Sequence, residues 1–362
     1  MALVGLFRLV ACLSGRQRAR RRLKTHAVAT LALEFIPPVD FLLMSTMNTL
    51  SFIACVCLLL CVLGASRVNA QDFAGNARKN GATNQATTLL WKKLLSDGPV
   101  VTHPVVLPSS GDLILGTAGG IMARVMRNST IVWTRYTGPI SSDCVIGLDG
   151  TVYFGAEDFN MYAITDSGTI KWRFTTQGSI VAGPILTQDQ RLIFGSRDGT
   201  VYCLNSEGML MWQVATQGEV RASVGELRDG AVVVGSLDGF VYCIDNIGSI
   251  RWKYNAGAEM ACNPLIQDVS IIIGTRSTSS TPAKVLALKM DGSLRWSYNV
   301  SGNVDTGAIQ DPYTATVYVT DKIGKLYAIQ QDGSLLWRVI TGAALTPPTW
   351  CNGYIVVASE NK

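Results

Sequence analysis

The side chains able to do chemistry are few, and their spacing suits almost none of it. Two histidines exist, His26 and His103. His103 is followed by Pro104 and reads as the start of a strand, with a structural role. No GxSxG element is present, so nucleophilic acyl chemistry has no visible centre. Of nine cysteines, Cys12, Cys55, Cys57 and Cys61 precede residue 71, and Cys144, Cys203, Cys243, Cys262 and Cys351 follow it. Zinc sites use thiolate and imidazole ligands at short spacings such as CxxC. No such pair occurs after residue 70, and Cys55-Val56-Cys57 lies in an apolar run as filler. The Asp-Gly pairs at Asp149-Gly150, Asp198-Gly199, Asp238-Gly239, Asp291-Gly292 and Asp332-Gly333 lack the spaced oxygen ligands of a calcium loop. They read as hairpin turns, whose residues tolerate positive φ.

The elements that carry these residues repeat. Tryptophan recurs at Trp91, Trp133, Trp172, Trp212, Trp252, Trp296 and Trp337, with gaps of 42, 39, 40, 40, 44 and 41 residues. The segments GAEDFNMYAITDSGTIKW (155–172), GSRDGTVYCLNSEGMLMW (195–212) and GSLDGFVYCIDNIGSIRW (235–252) align without gaps. TDKIGKLYAIQQDGSLLW (320–337) joins them, with Thr320 in the glycine place. The segment ending at Trp296 has five extra residues near 277–283, and the one ending at Trp133 carries Arg124 where the others have Ala or Cys. Each period reads as short strands: LIFG (192–195) or VVVG (232–235), then VYCID (241–245), then the Trp strand, then an inner run such as GPILT (183–187). Helical periodicity is absent between them, which excludes an alternating α/β fold. Four strands in about forty residues make antiparallel blades that must stack around an axis. The tryptophans are expected between blades, as packing and not as chemistry.

The motif of a Tyr-Ala-Leu-Asp-like strand, a polar-Gly turn and a Trp nine or ten residues after the Ala resembles the pyrroloquinoline-quinone-type (PQQ-like) repeat propellers. It reads Tyr162-Ala163 to Trp172, Tyr202-Cys203 to Trp212, Tyr242-Cys243 to Trp252, Tyr327-Ala328 to Trp337 and, without the Tyr, Ala287 to Trp296. The opening DFAGNARKNGATN (72–84) resembles the lead-in to such domains. The resemblance implies an all-β propeller of four-stranded antiparallel blades over residues 71–362. It says little of function, because the family spans quinoprotein dehydrogenases, the assembly lipoprotein BamB, and sensor or scaffold modules. Its catalytic members have adjacent cysteines over the quinone and acidic calcium ligands. No Cys-Cys dipeptide occurs here, and no set of Glu, Asn and Asp carries over. No cofactor is expected, with quinone plus calcium as the alternative.

About seven blades are visible, six of them complete. Trp91 in TLLWKKLL (88–95) is an outer strand without a blade before it, and TWCNGYIVVASENK (349–362) supplies two strands and stops. Together they make a composite blade that lacks a strand, so a chain truncated at its C-terminus is expected, with eight blades open for a longer one. Cys203 and Cys243 hold equivalent places in neighbouring blades. Packed sheets lie about 10 Å apart, too far for a disulfide, so both are expected as free buried thiols. The inner strands begin at an axial mouth. Its candidate lining is Thr102, His103, Ser142, Asp143, Arg221, Ser223, Asn263, Asp305 and Thr306. The plain reading is a solvated channel; the sharper one is a ligand or peptide site. The insertion at 277–283 is a second candidate contact.

The N-terminus concerns targeting. Residues 1–70 hold 8 Lys+Arg against 2 Asp+Glu, whereas residues 71–362 hold 23 against 24. The folded body thus has a net charge of −1 and no electrostatic case for nucleic acid. LSFIACVCLLLCVLGA (50–65) is an uncharged run of signal-peptide length, followed by Val68 and Ala70 at the −3 and −1 places of a cleavage site. Residues 47–70 read as a signal peptide and 1–46 as an extension of doubtful translation. Alternatively the basic cluster Arg16 to Lys24 holds the N-terminus in the cytosol and residues 50–65 anchor the chain in the membrane. Asn128-Ser129-Thr130 and Asn299-Val300-Ser301 are acceptor sequons for an exported protein. The reading as a whole is a secreted, non-catalytic propeller that binds another protein, with a quinoprotein-type oxidoreductase or small-ligand binder as the alternative.

Overall fold

In the computed structural model the described residues are 95, 98–340, 342, 346–351 and 354–357. The signal segment, Trp91 and the lead-in at 72–84 lie outside them. All regular structure among the described residues is strand. Six four-stranded antiparallel sheets, each in sequential strand order, cover residues 105–136, 144–175, 185–215, 225–255, 265–299 and 309–340. A two-stranded sheet, Thr349–Cys351 with Tyr354–Val356, follows. These sheets are the blades of a β-propeller, numbered here from first to sixth. In the third blade the inner strand is only Ile185–Leu186, shorter than the run GPILT suggests, and the inner strands of the first, fourth, fifth and sixth blades are equally two residues long.

The second and third strands of the middle blades are apolar on both faces, since each sheet is covered by a neighbour on either side. Leu192–Gly195 and Val232–Gly235 are buried throughout. The outer strands alternate, as in Ile170–Thr175 and Ile250–Asn255. In every blade the residue before the Trp is an extra one. Cys203 pairs with Trp212 and Leu204 with Leu210, which leaves Met211 as a bulge. The same shift falls at Val132, Lys171, Arg251, Arg295 and Leu336. A bulge twists an outer strand and blunts its open edge.

The repeated Trp joins one blade to the next. Its indole Nε1 donates to a turn carbonyl of the following blade: Trp133 to Asp166 (2.8 Å), Trp172 to Ser206 (2.9 Å), Trp212 to Asn246 (3.2 Å), Trp252 to Met290 (2.9 Å) and Trp296 to Gln331 (2.8 Å). The ring lies on the glycine of the same turn. A Cβ on Gly168, Gly208, Gly248, Gly292 or Gly333 would come within 2.6–2.8 Å of a Trp carbon. These glycines also hold φ between +77° and +90°. One residue therefore answers two demands, a turn of positive φ and a close approach.

Arg124, the irregularity of the first blade, serves the same junction. Its Nη1 donates to Asp166 O (2.7 Å), the carbonyl that Trp133 uses, while its Nε is held by Asp112 (2.8 Å). In the third blade Cys203 stands in that place, and Arg191, just before the second strand, reaches Asn246 O (2.6 Å).

Candidate axial mouth

The inner strands begin with three consecutive ring positions, and each does something different. The first ring to consider is buried. Thr102 and Ser142 are fully buried, and their hydroxyls accept the Gly116 and Gly155 N–H groups at 2.8 Å. Cys262 accepts Gly274 N–H at 2.8 Å, and Thr306 meets the Thr320 hydroxyl at 2.9 Å. Ala182 and Ala222 take the place in the third and fourth blades and are buried. Thr102 and Ser142 are thus not channel lining, contrary to the expectation from sequence. They replace a ladder partner for the second strand, a task that a polar residue and a short inner strand create together.

The next ring holds His103, Asp143, Gly183, Ser223, Asn263 and Gly307. Here blades bond across the mouth. His103 donates its main-chain N–H to Asp143 Oδ1 (2.9 Å), and its Nδ1 lies 2.8 Å from the same oxygen. Ser223 N–H donates to Asn263 Oδ1 at 2.8 Å. Both bonds span 40 residues, one blade. Gly183 separates Asp143 from Ser223: a Cβ there would lie 3.0 Å from Asp143 Cβ and 3.3 Å from Ser223 Oγ. The hydrogen bond that the imidazole donates to Asp143 raises the His103 pKa above its ordinary value, against the opposing effect of burial.

The third ring is charged at two places, Arg221 and Asp305. Arg221 binds Glu219 at 2.6 Å, and Arg197 of the preceding turn approaches the same carboxylate at 3.7 Å. The Arg221 hydrogen bond lowers the Glu219 pKa. Asp305 holds Arg276 with two contacts of 2.8 and 3.3 Å, and Glu259 adds a third at 3.5 Å. Arg276 is raised chiefly by Asp305. Ser141 bonds Glu157. The structure therefore places His103, Asp143, Ser223 and Asn263 together, and sets Arg221 and Asp305 in two ion-pair groups beside them.

Sequence reasoning missed the partners Arg197, Glu219, Glu259 and Arg276. It also missed a clamp formed by Asp and Tyr. Tyr162, Tyr202 and Tyr242 donate to Asp158, Asp198 and Asp238 at 2.6–2.8 Å. The second oxygens of those acids secure the turn, and Oδ2 also accepts an N–H of the preceding loop. Burial first, then the Asp hydrogen bond, pushes Tyr162 and Tyr202 up to about 12. The spacing Asp-x-x-x-Tyr recurs in three blades, and it is the sequence signal that marks the clamp. In the sixth blade Tyr327 reaches Asp321 instead, from two places earlier in the turn.

A calcium-bound quinone does not fit this donor set. Calcium takes many oxygen ligands, carboxylates above all. Asp143 is engaged by His103, Glu219 by Arg221, and Asp305 and Glu259 by Arg276. Among the described residues no three His, Cys, Asp or Glu side chains converge as a metal site. Cys144, Cys203, Cys243 and Cys262 are buried thiols outside any disulfide. Asn128 and Asn299 are both exposed. Among the described residues no helix is long and apolar enough to cross a membrane.

The sheets and their junctions define a four-stranded-blade propeller. Residues 157–313 match the family model described as outer membrane protein assembly factor BamB. That match, over part of the chain, supports the resemblance to the PQQ-like repeat β-propellers. Among solved structures, BamB from Moraxella catarrhalis aligns at 20% identity over 70% of this chain and 90% of its own, with a TM-score of 0.48. The computationally designed Ika8 protein aligns at 14% identity over 73% of this chain and 81% of its own, with a TM-score of 0.61, a likeness of fold alone. No curated protein matches the chain.

Proposed function

We propose that the chain is an exported, non-catalytic propeller that offers its loops and faces to another protein. One observation carries this reading: Asp143, Glu219, Asp305 and Glu259 around the axial mouth are each engaged by His103, Arg221 or Arg276 of the same chain, so the mouth is braced rather than open for chemistry. The match to a model described as an assembly factor supports a role in binding. Exposure of Asn128 and Asn299 suits export, as does the apolar segment at 50–65. The test uses the full chain in its own cells. Cross-linking should recover one stoichiometric protein partner from an extracytoplasmic compartment. With quinone and calcium added, the purified chain should show neither a calcium-dependent thermal shift nor dye-linked alcohol oxidation. Turnover under those conditions, or residence of the chain in the cytosol, would refute the proposal.

A further inference from the structure

Five junctions in this chain specify what covers an outer-strand Trp. The cover is a turn in which one residue offers its carbonyl to the indole, and the second residue after it is a glycine under the ring. Asp166 with Gly168 and Gln331 with Gly333 are two cases. The turn follows directly on a third strand: Asn160–Ile164 leads to Gly168, and Lys325–Ile329 leads to Gly333.

The sixth blade repeats the receiving half of this junction. Tyr318 supports Trp337 with ring centroids 5.7 Å apart and planes tilted by 40°, the same values as Tyr153 and Trp172 in the second blade. Trp172 Nε1 donates to Ser206 O, whereas among the described residues no acceptor meets Trp337 Nε1. Beside Tyr153 and Lys171, a cavity of about 300 Å³ is closed by Ser206 and Glu207 of the third blade. Beside Tyr318 and Leu336, which hold the same two places, the cavity is about 530 Å³, and its lining among the described residues comes from the sixth blade alone. The rest of this face is covered, because Trp350 stacks on Tyr318 at 6.3 Å and Ile355 packs there too. Tyr354–Val356 pairs with Thr349–Cys351 and, among the described residues, with no third strand. An unpaired strand edge is a template for another strand.

Two further turns of this kind occur in the chain, and neither has the glycine. In the first blade Ser129 holds that place, with φ +72° and an N–H bonded to Met126 O, as Gly168 N–H is bonded to Thr165 O. Four residues before Trp91, where the other repeats have glycine, stands Thr87. A Cβ at this place comes within 2.6–2.8 Å of the ring at all five junctions. Neither the lead-in of this chain nor the first blade of a second copy therefore suits Trp337. We infer that this side of the sixth blade receives a strand-and-turn segment of another protein. Its apolar strand pairs with the edge of Tyr354–Val356, and its turn lays a glycine on Trp337 and a carbonyl on the indole N–H. The inference rests on the scaffold reading above and names the kind of segment the scaffold binds. Strand addition supplies main-chain hydrogen bonds, and the crowding of any Cβ at the ring supplies selectivity.

The experiment uses the full chain and a fluorescein-labelled peptide with the sequence of residues 325–337, KLYAIQQDGSLLW, which holds a third strand and a glycine turn. Anisotropy should show saturable binding. The same peptide with Gly333→Thr should bind at least about tenfold more weakly, because a side chain at positive φ is strained and crowds the indole. This comparison leaves the chain untouched, so it does not depend on the folding of a variant. In the chain, Trp337→Phe removes the N–H donor and should weaken binding several-fold. Arg173→Glu on the second blade should change nothing. Four results each overturn the inference: no binding, equal binding of the two peptides, binding that appears only once residues 71–95 are removed, and a dimer of the chain that Trp337→Phe disperses. A cross-linked partner recovered equally by the Trp337→Phe chain leaves the scaffold reading standing and removes only this inference.

Discussion

Two glycines separate the terms that hold blades together. Gly208 has φ +77°, and a Cβ there would lie 2.6 Å from Trp172 Cδ2 and 2.9 Å from its Cε3. Gly257 has φ +70° and nothing within 4 Å of the same ideal Cβ. Alanine at either site carries the backbone cost of the left-handed region, about 1–2 kcal/mol. Alanine at 208 must also push aside an indole of the adjacent blade, and overpacking of this kind costs about 1–3 kcal/mol more. Gly208→Ala is therefore expected to lose about 2–5 kcal/mol and Gly257→Ala about 1–2 kcal/mol. Urea denaturation of the purified proteins, with intrinsic tryptophan emission as the probe, gives both numbers. A cycle with Trp172→Phe should recover part of the excess at 208, because a smaller ring relieves the crowding. Equal losses at the two sites would refute the claim that this glycine is needed for close approach between blades.

Three further outcomes follow from the same geometry. Tyr202→Phe removes a hydrogen bond to the Asp198 carboxylate (2.8 Å) and should cost about 1.5–3 kcal/mol in urea; a loss near zero would show that the clamp contributes nothing. The His103 pKa is raised by Asp143, so the charged pair stabilises the fold fully below the ordinary imidazole value of 6.5 and fades as pH rises through the higher folded value. Calorimetric melting should thus show the advantage of wild type over His103→Gln shrinking between about pH 5 and pH 8, and an advantage that grows with pH would reverse the assignment. Burial pushes the thiols of Cys203 and Cys243 up to about 11 and that of Cys262 up to about 12. Peptide mapping after alkylation at pH 8 should find these three unmodified in the folded chain and modified in urea, and rapid labelling of the native protein would place them at the surface instead.

The architecture was legible because its signal is local and repeated. A Trp every forty residues, a glycine four places before it and an apolar third strand recur whatever the rest of the chain does. Arg124 looked like a defect of the first blade, yet its guanidinium reaches the carbonyl that Trp133 also uses. Sequence spacing could not show this, because the donor and acceptor are 42 residues apart in different blades. The mouth was legible only in part. Alignment from each Trp found the right positions but not the direction of the side chains. Thr102 and His103 are neighbours, and one is fully buried against Gly116 while the other faces Asp143. The partners of Arg221 and Asp305 come from turns that the alignment from each Trp does not bring to the mouth.

The distribution of polar residues in the ring bears on where function can lie. Positions filled alike in blade after blade, the Trp, its glycine and the turn carbonyl, are engaged with each other across every described junction through Trp296. A ligand there would have to break a contact on which the next blade depends. Positions that differ between blades are under no such demand. The fifth blade shows the exchange most plainly: it has Leu286 in place of the Tyr and no Asp in the turn 275–283, and there Ser277 bonds Asn303 of the following loop instead. A partner is therefore to be sought where the repeat is broken, and not at the Trp junctions where it is kept.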